Sequence, residues 1–180
     1  MAKKPKTHIY TIGHENLSIK DFIIILKEND IRGIVDIRHN PDHKAFKEFQ
    51  SSRLQETLKQ AEIAYVFTPR LLDTKNYDLT IEEIRALPVF FKNYGAFMQT
   101  HDFKIVLNDL IATIENMNLA LLGFHENPGK CIRALLSDTL LGRNISVTHL
   151  IPGQKAAKAK LSKYAIVGID KVTYPEQNSE

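Results

Sequence analysis

Cysteine and long apolar runs are both scarce in this sequence. Cys131 is the only cysteine among 180 residues, so the chain forms no intramolecular disulfide and no cysteine-rich zinc site. No apolar stretch approaches the length of a membrane span, and none of signal-peptide length follows the charged start of the chain. We therefore expect a cytoplasmic protein with no membrane partner, in a reducing compartment that keeps a lone thiol free.

Several catalytic motifs are absent as well. The sequence contains no glycine-rich dinucleotide motif, no Walker pattern and no GxSxG elbow, which removes sequence support for nucleotide hydrolysis and for classical serine hydrolysis. The sequence has no HExxH motif and no comparably short histidine spacing, so it does not favour a bound transition metal. It leaves open whether the protein uses a cofactor. Only Ile132 separates Cys131 from Arg133, a spacing far too short for a cysteine phosphatase loop.

The composition is that of an ordinary globular protein, with 43% hydrophobic and 25% charged residues. The length predicts a single domain over 1–180, with its core at about 8–151 and a basic C-terminal extension at 152–180. The net charge is +3, and lysines cluster near both ends of the chain: Lys3, Lys4, Lys6, Lys155, Lys158, Lys160 and Lys163. Such clusters are usually solvated surface, but they leave open an association with nucleic acid.

Five short apolar runs, each bounded by turn residues, predict β-strands. They cover 8–12, 33–37, 64–67, 119–124 and 145–151. The run 33–37 reads GIVDI, which is typical of a strand covered on both faces. A further run, AIVGI at 165–169, can add a C-terminal edge strand.

Helical patterns alternate with these strands. The pattern from 80 to 116 is broken at Pro88. Four other helices are predicted. One begins after Ser18 as its N-cap and a second after Ser51 or Ser52, and the remaining two cover 103–114 and 130–141. This alternation predicts an α/β fold, a three-layer sandwich with a mostly parallel five-stranded sheet and helices on both faces.

Polar residues follow the predicted strands where a ligand site is expected. Parallel sheets bind ligands at the carboxyl ends of their strands. Gly13 and His14 follow the first strand, and Asp36, Arg38 and His39 end or follow the second. Asp36 and Arg38 leave the strand on one face, so they either form a structural salt bridge or present a guanidinium to an anion.

The segment 119–133, LALLGFHENPGKCIR, runs from a strand through a Pro-Gly turn into a basic helix start. Free backbone N–H groups and the helix dipole favour an anion beside Lys130, Cys131 and Arg133. At such a position Cys131 is either a nucleophile or a small buried side chain. Tyr94 lies among several phenylalanines and predicts an aromatic wall over the pocket or, as we favour, core packing.

The order of these motifs resembles the family known as domain of unknown function 488. The resemblance extends over about 9–151 and rests on five segments: TIGH at 11–14, VDIR at 35–38, the segment 94–98, LLGFHENPGKCIR at 121–133 and VTHLI at 147–151. It implies a fold and a pocket rather than a reaction, because the family has no settled activity.

Three positions depart from the pattern that the resemblance implies. Where this chain has Gly123, members usually carry a cysteine. Where it has His125 they carry an acidic residue, and where it has Ile132 they carry a histidine. Chemistry that depends on that cysteine or that carboxylate is therefore altered or lost in this chain. Other positions match the pattern: Gly13, His14, Asp36, Arg38, Pro128, Cys131 and Arg133.

These observations predict a strand-end pocket for a phosphate-bearing or other anionic small molecule, nucleotide-like in character. The expected ligand-binding residues are Gly13, Arg38, His39, Asn127, Lys130 and Arg133. If the protein is an enzyme, His14 or His125 is its general acid or base, Asp36 orients a neighbour and Cys131 is the nucleophile. The alternative is a non-catalytic nucleic-acid-associated or ligand-binding protein that has lost the family's chemistry. The sequence leaves the substrate and the oligomeric state open.

Overall fold

A six-stranded sheet forms the centre of the computed structural model, which describes residues 7–72 and 75–176. Its order is β3-β2-β4-β1-β5-β6, and β1 to β5 are parallel while β6 is antiparallel to β5. The strands are β1 His8–Gly13, β2 Gly33–Asp36, β3 Ala64–Phe67, β4 Leu119–Gly123, β5 Ser146–Leu150 and β6 Ala157–Lys158. The predicted α/β fold is therefore confirmed.

Helices cover both faces of this sheet. They are α1 Ile19–Glu28, α2 Ser51–Gln60, α3 Val89–Phe97, α4 His101–Ile114 and α5 Arg133–Gly142. Apolar residues of α1 and α2 pack on one face, and those of α3, α4 and α5 pack on the other. Every residue of β2 and β4 is buried, because these strands lie inside the sheet and are covered on both sides.

Helix boundaries differ from the prediction at two places. The hydroxyl of Ser18 caps α1 as predicted, but α2 has Gln50 at its N-cap position, and Ser51 instead donates its backbone N–H and hydroxyl to Asp42. Helix α5 begins at Arg133 and not at residue 130. A tight turn occupies Pro128–Lys130, because the Asn127 side chain accepts from the Gly129 N–H and closes the chain locally.

The segments beside α3 and after β5 also differ in detail. From Thr80 to Pro88 the only regular element is a short 3₁₀ turn at Glu82–Ile84, and α3 starts directly after Pro88. The sheet has a C-terminal edge strand, but β6 supplies it and not the predicted run AIVGI. The run AIVGI instead contributes β7 Ile166–Val167, which pairs with β8 Val172–Thr173 in a separate hairpin.

The C-terminal segment is tied to α5 by one buried carboxylate. Asp138 accepts hydrogen bonds from the backbone and hydroxyl of Ser162 and from the hydroxyl of Tyr174. The lysines of this segment, Lys155, Lys158, Lys160 and Lys163, are exposed, whereas Lys3, Lys4 and Lys6 lie outside the described residues. Among the helices of the described chain, none combines the length and apolar character needed to cross a membrane.

Candidate functional site

A cavity of about 670 Å³ opens at the carboxyl edge of the sheet. It lies between the loops that follow β2 and β4 and the N-terminal part of α3. The described residues that line it include arginine, lysine, histidine and phenylalanine, and none of them is an aspartate or glutamate. Five predicted site residues line this cavity: Arg38, His39, His125, Lys130 and Cys131. Five others lie beside or beneath it: Gly13, His14, Asp36, Asn127 and Arg133.

Asp36 and Arg38 form a buried ion pair beneath the cavity. Arg38 donates from Nε to Asp36 Oδ1 at 2.9 Å and from Nη2 to Oδ2 at 2.6 Å, and the Tyr65 hydroxyl donates to Oδ2 at 2.7 Å. Asp36 is 0% exposed and Arg38 is 3% exposed. Burial and the Asp36 carboxylate raise the pKa of Tyr65, which stays a neutral donor. The pair holds the loop after β2 in place, and Arg38 still lines the cavity.

His14 supports Arg38 from behind the cavity. Arg38 Nη1 donates to Phe49 O at 2.7 Å and faces His14 Nε2 at 3.2 Å, so Nε2 accepts and the imidazole is neutral. The ring stacks on Phe49 with centroids 4.3 Å apart and meets Phe46 and Phe124 edge-on. Burial, followed by the charge of Arg38, lowers the pKa of His14 from 6.5 to about 3.

The lowered pKa of His14 predicts a loss of stability in mild acid. The unfolded chain takes up a proton on this histidine below pH 6.5, whereas the folded protein takes it up only near pH 3. The free energy of unfolding therefore falls as the pH is lowered between these values, by up to about 1.4 kcal/mol per pH unit for one histidine. Urea denaturation of wild type and His14→Gln at pH 7.5, 6 and 5 measures this slope. A shallower slope is expected for the variant, and equal slopes would contradict the assignment.

Two glycines create the space beside β1 and β4. Gly13 and Gly123 are register partners at the carboxyl ends of these adjacent strands. A Cβ at Gly123 would lie 2.6 Å from Arg133 Nε and 2.9 Å from Cys131 Sγ, and one at Gly13 would lie 2.9 Å from Arg133 Nη2. The Arg133 side chain thus fills the place where the family pattern implies a cysteine side chain. With Arg133 and Cys131 placed as they are in this chain, a side chain at position 123 has no room.

Arg133 is a buried cation without a carboxylate partner. It is 1% exposed, and its Nη2 donates to the backbone oxygens of His125 and Glu126. Its Nε has no hydrogen-bond partner within residues 7–72 and 75–176, and no ion pair to this guanidinium is found there. Burial lowers the pKa of Arg133, while the neighbouring Cys131 opposes that shift. Among the described residues only the Cys131 sulfur offsets this buried charge, which is costly unless an anion neutralises it.

Cys131 lies between Arg133 and the open cavity. It is half-buried and carries a free thiol. Tyr94 of α3 lines the cavity with it, is 7% exposed and has a hydroxyl with no hydrogen-bond partner among the described residues. Burial, and then the nearby Cys131, raises the pKa of Tyr94, so its hydroxyl is a neutral donor. The floor of the cavity therefore combines a thiol with two unpartnered donors.

His125 and Asn127 lie in the loop after β4, and His149 lies on β5. His125 Nδ1 lies 3.4 Å from Glu15 Oε2, and the Glu126 N–H donates to the same carboxylate, which lowers the pKa of Glu15. Asn127 is exposed and shapes the turn before α5. His149 of β5 bonds to Thr11, and its pKa is lowered to about 4 by burial and then by Arg133.

Tyr94 packs in the hydrophobic core, as expected, and also lines the cavity. The sequence analysis missed two other aromatic side chains. Phe46 and Phe124 form apolar walls of the cavity and also contact His14. Within the described residues, no group of three or more His, Cys, Asp or Glu side chains is placed to hold a metal ion.

Comparison with known proteins gives one match. The model of a family described as "Domain of unknown function DUF488" matches residues 18–140, more than half of the chain. The match begins at the N-cap of α1 and ends within α5, so it includes β2, β4 and the loops that follow them. No curated protein and no solved structure matches the chain.

Proposed function

The chain belongs to the DUF488 family, and we propose that its strand-end cavity binds a small anionic ligand with a phosphate group and a planar ring. The observation that carries this proposal is the buried Arg133 guanidinium, which has no carboxylate partner in the described chain. A phosphate bound over Cys131 supplies the missing negative charge. The Tyr94 hydroxyl is a donor without a partner among the described residues and is suited to its oxygens, while the charge of Arg133 acts on it from behind Cys131.

The cavity lining supports both parts of this ligand. Lys130 lines the space and the Arg133 guanidinium lies behind it, and no carboxylate is among the described lining residues, which favours an anion there. Four phenylalanines offer faces and edges against which a planar ring can pack: Phe46, Phe90, Phe91 and Phe124. A volume of about 670 Å³ falls within the usual range for small-molecule sites. A mononucleotide combines the required ring and charge.

Calorimetric titration with AMP, adenosine and inorganic phosphate tests the proposal. We expect AMP to bind more tightly than either part alone. Replacing Arg133 with methionine is expected to weaken AMP binding by about 10-fold or more, because it removes the buried positive charge behind Cys131. The same change is expected to alter the free energy of unfolding by only about 1 kcal/mol, because an apolar side chain replaces an unpaired buried charge.

Lys130→Ala is a second variant, expected to weaken AMP binding several-fold, and Lys59→Ala is its control. Lys59 is an exposed lysine near the end of α2, outside the cavity lining, so its removal is expected to leave binding unchanged. Reduced wild type that binds none of the three probes at millimolar concentration would contradict the proposal. So would AMP affinities of Arg133→Met and Lys130→Ala equal to that of wild type.

Nucleic-acid association through the exposed lysines of 155–163 is the competing proposal, and salt separates the two. Binding through several phosphate contacts weakens steeply as salt is added. A single phosphate in a half-enclosed cavity is expected to show a much smaller dependence. Titrations of a single-stranded oligonucleotide and of AMP, each at two salt concentrations, therefore distinguish binding by the lysines of 155–163 from binding in the cavity.

A further inference from the structure

Cys131 is reachable from solvent and lies in a positive environment. It lines the cavity and is half-buried, so part of the residue is open to the cavity. Lys130 precedes it in the chain, and the Arg133 guanidinium lies directly behind it, with Nε and Cys131 Sγ both within 3 Å of the position that a Cβ on Gly123 would take. Reactive thiols occur in partly exposed, electropositive surroundings of this kind.

A second observation points to an oxygen anion at the sulfur. Two side chains at the same place are more than nine-tenths buried, and each has a donor without a partner among the described residues: the Tyr94 hydroxyl and Arg133 Nε. Arg133 Nε and the Cys131 sulfur lie together beside Gly123, and Tyr94 lines the same cavity as Cys131. An oxygen atom attached to Cys131 Sγ would give both donors an acceptor.

We propose that Cys131 is a site of reversible oxidation by hydrogen peroxide, and that its oxidation excludes the ligand from the cavity. The sulfur attacks one peroxide oxygen, so that an S–O bond forms while the O–O bond breaks. The departing hydroxide takes the thiol proton and leaves as water. The sulfur is oxidised to the sulfenic acid and the peroxide is reduced.

The return step requires a thiol from another molecule. Cys131 is the only cysteine of the chain, so no second cysteine can resolve the sulfenic acid internally. An external thiol condenses with it and releases water, giving a mixed disulfide. A second external thiol then displaces the Cys131 thiolate and leaves as the disulfide of the two small thiols.

The effect on the ligand rests on the proposed function. The oxygen added to Cys131 occupies the place over the sulfur where the phosphate would bind. In its ionised form it also brings a negative charge next to the phosphate position. Both effects weaken binding of an anion. Oxidation thereby couples the ligand affinity of the cavity to the peroxide level.

Trapping with dimedone tests the modification itself. The reduced full chain is treated with hydrogen peroxide in the presence of dimedone, and intact mass and peptide mapping follow the adduct. One adduct is expected, on Cys131, and Cys131→Ser is expected to give none. Tyr94→Phe is expected to label roughly three- to ten-fold more slowly, because it loses one donor to the developing anion. Tyr164→Phe, a half-exposed tyrosine far from the cavity lining, is expected to label at the wild-type rate.

Two results would overturn the modification site: no adduct on Cys131, or equal labelling rates for wild type and Tyr94→Phe. If Tyr94→Phe does not fold, Arg133→Met replaces it with the same expectation.

AMP titration then tests the coupling, since oxidised protein is expected to bind AMP about ten-fold more weakly and to recover its affinity with dithiothreitol. Reduced protein that does not bind AMP would overturn the proposed function and the coupling, while the dimedone result still decides the modification. Unchanged AMP affinity after oxidation would overturn the coupling alone.

Discussion

Replacing Asp36 with asparagine is expected to lower the free energy of unfolding by about 3–5 kcal/mol, because it removes one partner of a buried ion pair. Asp36 is 0% exposed and accepts from Arg38 Nε, Nη2 and backbone N–H and from the Tyr65 hydroxyl. The variant leaves the Arg38 guanidinium buried without a counter-charge. Urea denaturation at pH 7.5 measures the loss.

Asp30→Asn is the matched control for this variant. Asp30 also pairs with an arginine, Arg32, but the two side chains are 75% and 62% exposed. An exposed pair contributes about 0–1 kcal/mol, so the control is expected to unfold close to wild type. An Asp36→Asn protein within about 1 kcal/mol of wild type would show that the buried pair does not stabilise the loop after β2.

Replacing Gly13 with alanine is expected to lower the free energy of unfolding by about 3 kcal/mol, at the upper end of overpacking costs. Its Cβ would lie 1.8 Å from the backbone oxygen of His125 and 2.9 Å from Arg133 Nη2. The first contact is with backbone, so the loop after β4 must move. The affinity for AMP is expected to fall as well, because the loop that must move carries His125 and anchors Arg133.

Gly168→Ala is the control for Gly13→Ala. Gly168 lies in the hairpin between β7 and β8, and the nearest atom to its added Cβ is 3.2 Å away. A small shift accommodates that contact, so the change is expected to cost less than about 1 kcal/mol. Equal costs at positions 13 and 168 would contradict the tight approach of the β4 loop to Gly13. Denaturation and AMP titration on the same samples compare the two.

The two buried arginines of this fold differ in what neutralises them. Arg38 has the carboxylate of Asp36 two residues away, and its charge is compensated inside the protein. Arg133 has only backbone oxygens as partners in the described chain and lies behind the one thiol. This difference assigns Arg38 mainly to the structure of the loop and Arg133 to the charge of the cavity. Binding measurements on Arg133→Met probe the second assignment directly.

Local patterns in the sequence were sufficient for the positions of the main strands and for the edge of the sheet where polar residues gather. Apolar runs bounded by turn residues correspond to β1 to β5, and the Ser18 cap and the 103–114 stripe correspond to α1 and α4. Local cues failed where a neighbouring segment supplied the decisive contact. Asp42 bonds to Ser51 at the start of α2, and the Asn127 turn delays the start of α5 to Arg133.

Hydrophobic periodicity and turn chemistry act between residues that are close in the chain. For that reason the sequence alone determined the alternation of strands and helices and the polar residues at the strand ends. It also indicated that Asp36 and Arg38 could form an ion pair. Strand register acts between distant residues. Only the packed sheet sets Gly13 beside Gly123, makes room there for Arg133, and brings Tyr94 of α3 to the cavity that Cys131 lines. The charge of the cavity floor is consequently a tertiary property, because its donors come from separate elements that meet only when the sheet is assembled.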